Sequence, residues 1–418
     1  MDIRVFPGQL HGVIKAIPSK SQAHRALICA ALSDRPTRIE CGGESEDITA
    51  TAACLAALGA EIRKEDWGFC VSPLPRIFAP AVLPCGESGS TFRFMLPIVC
   101  ALGRSVSFMP KGRLPERPLS PLYEELVRSG CELSPQGSVP FYASGQLSPG
   151  QYTLDAGVSS QFISGLLFAL PLLDGDSELL LNGHIESFPY IELTLAMLDA
   201  FGIKTTFSGA MFSIPGRQEY HSPGTVRIEG DWSNAAFWLG AGAVSTGSVT
   251  CTGLDLQSAQ GDREILDILR RFGAQVEADN TSVTVSGGKL RGIEIDARNI
   301  PDLVPIMAVV ASLAEGVTVI KNAGRLRGKE SDRLAAVSGV LNGLGADVSE
   351  TKDGLLIRGG STPTGGEAPS WGDHRIAMAA AVAATVCSMP VDIKGAEAVR
   401  KSYPEFFNDL VSLGGIIN

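Results

Sequence analysis

The chain has 418 residues, 44% of them hydrophobic, with a formal net charge of −10 and a sequence pI near 5.1. That length supports a large core and two or three domains. The acidic balance argues against nucleic acid or an anionic membrane as the main partner, because both call for a basic face. Any anionic substrate must therefore be met by a local cluster of cations.

The opening MDIRVFPGQL lacks a signal-peptide layout, and apolar runs such as ISGLLFALPLL are too short to span a bilayer. The nine cysteines are scattered without a tight pair, which fits free thiols in a reducing compartment. A cytoplasmic location is the expectation. The five histidines show no ligand spacing, so no metal is expected. GxxxxGK[ST] and GxGxxG are both absent, which removes the usual nucleotide signatures.

Along the chain one helix-end signature returns: an apolar residue, Gly, then an alternating strand. It reads LAALGAEI, LVRSGCEL, LDAFGIKT, LRRFGAQV, LNGLGADV and LVSLGGII, with glycines at Gly59, Gly130, Gly202, Gly273, Gly345 and Gly414. The spacing is about 70 residues, the mark of a repeat architecture. Each glycine falls where the end of a helix favours positive φ. Short β-rich runs keep the same beat, as do helix starts at KSQAHRALICAAL, SGSTFRFMLPIVCAL, SSQFISGLLFALPLL, WSNAAFWLGAGAV, PDLVPIMAVVASLA and DHRIAMAAAVAATV. These helices are apolar on nearly every face, as buried helices are. Each unit reads strand, buried helix, strand, amphipathic helix, two strands, an α/β repeat.

Six units divide most simply into three per domain, at 18–228 and 229–418 with a joint at HSPGTVRIEGDWS. The strand-like residues 1–17 are expected to complete the second domain, leaving 18–228 as an insert. Polar residues gather at the mouths of the buried helices: Lys20 with Ser21, Ser88 to Ser90, Ser159 to Gln161, Asp302, and Asp373 to Arg375. Arg117, Ser187 with Tyr190, Lys329 and Lys401 follow the second strand of their repeats. Helix N-termini offer free N–H groups and a positive dipole end, which suits phosphate or carboxylate. Taken singly, KSQAHR, ESGST and SSQF read more readily as N-caps and turns, and RLRGKESDRL as a solvated charged surface. Their common phase favours a pocket for small polyanions. In RLRGKESDRL a helix beginning near Gly328 would set Lys329 and Arg333 at i and i+4, where like charges repel unless an anion lies between them.

In order, PSKSQAHRAL, ESEDI, GESGSTFR, RLPERP, SSQF, SFPYIELTL, IEGD, IPDLVP, RLRGKESDR, GDHRIAM and RKSYPEFF resemble the 5-enolpyruvylshikimate-3-phosphate synthase family, over essentially the whole chain. The resemblance implies a two-domain inside-out α/β barrel of six βαβαββ repeats, with the active site in the cleft between the domains. It implies transfer of the enolpyruvyl group of phosphoenolpyruvate to the 5-hydroxyl of shikimate 3-phosphate, in chorismate and aromatic amino acid biosynthesis, with no cofactor. The two small-molecule substrates are the expected partners of a monomer.

By matching motif, shikimate 3-phosphate is expected on Lys20, Ser21, Arg25, Ser159, Ser160, Gln161, Ser187, Tyr190, Asp302, Arg325 and Lys329. Phosphoenolpyruvate is expected on Lys20, Gly89, Arg117, Gln161, Arg333, Arg375 and Lys401, with Asp47 close by. Asp302 is the expected general base, Glu330 and Lys20 the candidates for moving the C3 proton, and His374 lies near the reaction. Glu87 and Arg325 stand where many family members carry Asn. The nearest rival is the enolpyruvyl transferase acting on UDP-N-acetylglucosamine, which relies on a loop cysteine. The corresponding MPKGRLPERP has none. An RNA-end-modifying enzyme would need a nucleotide site and a basic face, and a six-repeat scaffold would spread its charges over an outer surface.

Overall fold

The computed structural model describes residues 1–75 and 79–418. It contains six four-stranded sheets. The chain divides into two compact units, Met1–Ile17 with Glu229–Asn418, and Pro18–Ile228.

In the 18–228 unit the second repeat shows the pattern complete. Strand Ala81–Gly86 leads into helix Gly89–Ala101, then strand Val106–Pro110, which pairs parallel to the first. Helix Leu122–Arg128 and strands Cys131–Leu133 and Phe141–Gly145 follow, both strands antiparallel to their neighbours. The third repeat repeats this order from Gln151 to Ile214. The first repeat lacks its own leading strand, and Thr225–Arg227 from the end of the unit supplies it, parallel to Thr37–Glu40.

The other unit closes in a related way with the first residues of the chain. Gly12–Lys15 pairs parallel to Ser248–Thr252 and becomes the leading strand of the fourth repeat. Ile3–Phe6 sits between Val391–Lys394 and Ile416–Ile417 and completes the sixth.

Hydrophobic patterning explains why helices fill the interior of each unit. All twelve residues of helix His374–Thr385 are buried, and nine of the ten in Val304–Leu313. These two pack on each other and on helix Trp232–Val244. A helix that is apolar all round has no solvent face to offer, so it must lie inside. Sheet strands instead alternate, as in Ser248–Thr252 and Val106–Pro110, and turn one face outward. Trp238 stacks on Phe406 with ring centroids 4.6 Å apart, joining a buried helix to the last amphipathic one. Each fully buried side chain of this size contributes about 1.5–3 kcal/mol.

The six periodic glycines all have positive φ, between 82° and 107°. A side chain at such a position would be strained, and the glycine lets the chain turn from helix into strand. The helix after RLRGKESD begins later than the sequence suggested. Residues Gly324–Gly328 form a short 3-10 turn, and the α-helix runs Arg333–Gly343 behind Asp332 as N-cap. Asp332 accepts a hydrogen bond from Ala335 N at 3.1 Å, which fixes that start. Lys329 and Arg333 therefore do not share a helix face, and the repulsion between them acts across the turn that precedes the helix.

Candidate active site

Two groups of polar side chains lie at helix mouths, one in each unit. In the 18–228 unit, Lys20 opens helix Lys20–Leu32, and its Nζ lies 2.7 Å from Asp47 Oδ2, both side chains about 15% exposed. One turn on, Arg25 is buried and holds neutral partners. It donates to Thr194 Oγ1 at 2.8 Å, to Ser21 O at 2.6 Å and to Tyr190 O at 2.7 Å. Its guanidinium also lies over the Phe94 ring at 5.0 Å. Burial pulls Arg25 down to about 10, since no carboxylate offsets the lost hydration.

Ser187, with φ 55° and ψ 39°, takes a left-handed conformation before helix Phe188–Ala200. That turn leads directly to Tyr190, whose carbonyl Arg25 holds. Ser159 caps helix Ser160–Ala169 by accepting from Gln161 N. The Gln161 side chain reaches the second repeat: Nε2 donates to Ser90 Oγ at 3.0 Å and Oε1 accepts from Arg93 at 3.2 Å. At Gly89 a Cβ would sit 2.7 Å from an Arg93 nitrogen and 2.8 Å from one of Arg117. Two guanidiniums thus close over a helix N-terminus that only glycine leaves open. The Glu87 carboxylate packs against Gly112, 2.4 Å from where a Cβ would be.

In the other unit the cations are met by carboxylates. Arg333, 2% exposed, donates to Asp373 Oδ2 at 2.8 Å, Asp302 Oδ1 at 2.7 Å and Glu330 Oε2 at 2.8 Å. Arg375 donates to the second Asp302 oxygen at 2.9 Å. Asp302 thus bridges two guanidiniums. Burial alone would raise its carboxyl, but Arg375, Arg333 and Lys329 hold it well below the usual carboxylate range. Burial likewise disfavours the Arg333 charge, and Asp373, Glu330 and Asp302 outweigh it, so this guanidinium is held above its ordinary value. Lys329, pulled down to about 7 by burial and by Arg325 and Arg333, stands beside them.

His374 is buried at the first position of its helix, with Nδ1 3.8 Å from Asp373 Oδ1. Lys401 Nζ donates to Gly372 O at 2.6 Å, tying its turn to the same loop. Arg325 donates to Arg298 O at 2.6 Å. Among the described residues no cluster of His, Cys, Asp or Glu is arranged to hold a metal ion, and no helix is long and apolar enough to cross a membrane.

Residues 6–410 match the family model described as EPSP synthase (3-phosphoshikimate 1-carboxyvinyltransferase). A 3-phosphoshikimate 1-carboxyvinyltransferase of Clostridium kluyveri is 43% identical over 419 residues, covering 100% of this chain and 98% of the relative. That of Clostridium acetobutylicum is 44% identical over 424 residues, with the same coverage. An EPSP synthase structure from Acinetobacter baumannii superposes with a TM-score of 0.82 at 25% identity, covering 100% of this chain and 99% of that one.

The chain belongs to the EPSP synthase family. Against that family, the positions drawn from its motifs fall into two groups. Lys20, Ser21, Arg25, Gly89, Arg117, Ser159, Ser160, Gln161, Ser187 and Tyr190 lie in the 18–228 unit, and Asp302, Arg325, Lys329, Glu330, Arg333, His374, Arg375 and Lys401 in the other. Hydrogen bonds join Arg25 to Ser21 and Tyr190, and Asp302 to Arg333 and Arg375. Arg325 turns one nitrogen to a backbone carbonyl of its own unit.

Sequence reasoning missed Asp373 as a hub. It is fully buried, caps its helix through Arg375 N, and accepts from Arg333 Nε and Ser331 Oγ. Its place before His374 in GDHR was the available signal. Asp262 was missed as well: Ser233 Oγ donates to it, and burial, then Asp302, pushes its carboxyl up to about 7. Nothing in the stretch QGDRE marks it out.

Proposed function

We propose that the chain transfers the enolpyruvyl group of phosphoenolpyruvate to the 5-hydroxyl of shikimate 3-phosphate, giving 5-enolpyruvylshikimate 3-phosphate and phosphate. Family membership over nearly the whole chain supports this reaction and its place in aromatic amino acid biosynthesis. The observation that carries the residue assignment is the Asp302 carboxylate bridging Arg333 and Arg375.

Each substrate brings a phosphate and a carboxylate, so many cations must converge on them. In this reading shikimate 3-phosphate takes Lys20, Ser21, Arg25, Ser159, Ser160, Gln161, Ser187, Asp302, Arg325 and Lys329, with Tyr190 beside its ring. Phosphoenolpyruvate takes Lys20, Gly89, Arg117, Gln161, Arg333, Arg375 and Lys401. Both ligand sets draw on residues of both units.

The chemistry is addition followed by elimination. The 5-oxygen attacks C2 of phosphoenolpyruvate while C3 gains a proton, and phosphate then leaves as a methyl proton is lost. The bond that breaks is C–O, so phosphorus needs no in-line activation. Asp302 accepts the 5-hydroxyl proton. A carboxylate shared by two guanidiniums is a weak base, and an anionic substrate that engages Arg333 and Arg375 relieves it of that charge. Glu330, paired with Arg333, and Lys20 are the groups that move the C3 proton, with His374 alongside. Eight buried cysteines, all nine thiols free, agree with a reducing, cytoplasmic setting, and a monomer is the expected state.

The test is phosphate release from phosphoenolpyruvate with two acceptors in parallel. Shikimate 3-phosphate supports release and UDP-N-acetylglucosamine does not. Release with the amino sugar alone would contradict the proposal and favour the rival transferase.

A further inference from the structure

A buried row of side chains runs through the 18–228 unit. His24 Nδ1 lies 2.7 Å from Thr51 Oγ1, Thr51 Oγ1 lies 2.6 Å from Thr91 Oγ1, and Thr91 Oγ1 donates to Ser88 Oγ at 2.8 Å. None of the four residues is more than 1% exposed. A hydroxyl carries one proton, so the polarity of the row is set from its last bond. Thr91 spends its proton on Ser88, so Thr51 donates to Thr91. Thr51 is then an acceptor toward the ring, so His24 donates from Nδ1. Burial, with Lys20 and Arg25, keeps that ring neutral.

Ser88 Oγ also accepts from Thr91 N at 3.3 Å, as the cap of helix Gly89–Ala101. Both hydrogen bonds at this oxygen are ones it accepts, and the row blocks the proton from turning inward. That leaves the Ser88 proton for the helix mouth. A second observation points to the same place. The Arg93 and Arg117 guanidiniums close over the next residue, Gly89. The helix N-terminus and two guanidiniums thus stand together at Gly89, the residue that follows this hydroxyl in the chain, a positive setting that suits an anionic oxygen.

We propose that Ser88 is a further phosphoenolpyruvate-binding residue, its hydroxyl donating to an anionic oxygen of that substrate, and that the His24, Thr51, Thr91 row is the positioning device that aims it. The proposal rests on the assignment of Gly89 and Arg117 to phosphoenolpyruvate made above. It adds a ligand that the family's motif positions did not supply.

The test uses Ser88→Gly and Thr51→Val in the full chain. Glycine is nearly as good an N-cap as serine, so Ser88→Gly removes the donor with little cost to the helix. KM and kcat are measured for each substrate by phosphate release, with thermal unfolding alongside. Loss of a hydrogen bond to a charged group raises the KM for phosphoenolpyruvate about tenfold or more in Ser88→Gly, with the KM for shikimate 3-phosphate nearly unchanged. Thr51→Val leaves Ser88 in place but frees the polarity of the row, so it raises the same KM by a smaller factor. A folded Ser88→Gly with ordinary phosphoenolpyruvate KM, or both substrate KM values rising together, would overturn the proposal. Should Ser88→Gly fail to fold, an unchanged phosphoenolpyruvate KM in Thr51→Val overturns it alone. Absence of phosphate release in the wild type would instead sink the parent reading, so the two failures are distinguishable.

Discussion

Arg25 and Arg333 are equally well hidden, 3% and 2% exposed, and burial alone disfavours the charge of both. Their surroundings then diverge. Arg25 is held by a hydroxyl and two carbonyls, and its pKa falls to about 10. Arg333 is held by three carboxylates and is driven the other way. A buried cation with neutral partners keeps an unmet charge, which an incoming anion can neutralise without displacing anything. A buried cation with several carboxylates is already neutralised, so an anion must compete for it. One arginine thus favours binding outright, while the other couples binding to the release of carboxylates that can then move protons.

Replacing each arginine by methionine breaks the comparison most directly. Arg333→Met leaves Asp302, Glu330 and Asp373 without their shared partner and costs about 3–5 kcal/mol of stability at neutral pH, seen in denaturant unfolding. Asp302 is depressed in the folded state, so its contribution is full above its unfolded value near 3.8 and fades as pH falls through the folded one. The deficit of the variant must therefore shrink in acid. A deficit that stays constant down to the acid transition would show that the carboxylates are not its source.

Arg25→Met has the opposite signature. It removes a charge that burial penalises and no carboxylate rewards, but it leaves the partly buried Ser21 and Tyr190 carbonyls without this donor, so stability falls by about 1–3 kcal/mol, a loss that does not shrink in acid. Its effect appears in shikimate 3-phosphate affinity, weakened at least about tenfold by calorimetry. A large loss of stability with intact affinity would invert the contrast.

A smaller effect concerns Lys329. A lysine held near 7 in the free protein is charged below that pH and loses its proton above it. Shikimate 3-phosphate affinity should thus fall as pH rises through 7, by at most about tenfold per pH unit. Lys329→Arg keeps its charge and should flatten that limb. A wild-type affinity constant from pH 6.5 to 8.5 would rule out Lys329 as a charged ligand.

Much of this architecture was legible in the sequence because glycine at a helix end leaves a periodic mark, and because KESDR and DHR place charges at fixed offsets. The strand that closes the 18–228 unit was harder to see. Thr225–Arg227 is three residues long, and only its partner, Thr37–Glu40, makes it a strand. Asp373 was hidden as a hub because its partner Arg333 lies forty residues away and meets it only through the packing of two helix mouths. The start of the Arg333 helix was readable in principle, since Asp332 is a good cap. Its carboxylate also accepts from Arg327 at 3.0 Å, so the residue does two structural jobs at once. Arg25 looked like a ligand from its motif, but its role as a clamp on helix Phe188–Ala200 depends on a contact across 165 residues.

The central claim is that Asp302 serves as counter-ion to Arg333 and Arg375 until an anionic substrate engages them, and then as base. Asp302→Asn tests it by measuring turnover and phosphoenolpyruvate affinity on the same preparation. The account predicts turnover lower by about a hundredfold or more, with phosphoenolpyruvate bound at least as tightly as by the wild type, because a competing carboxylate is gone. Near-normal turnover, or affinity lost in step with turnover, would contradict it.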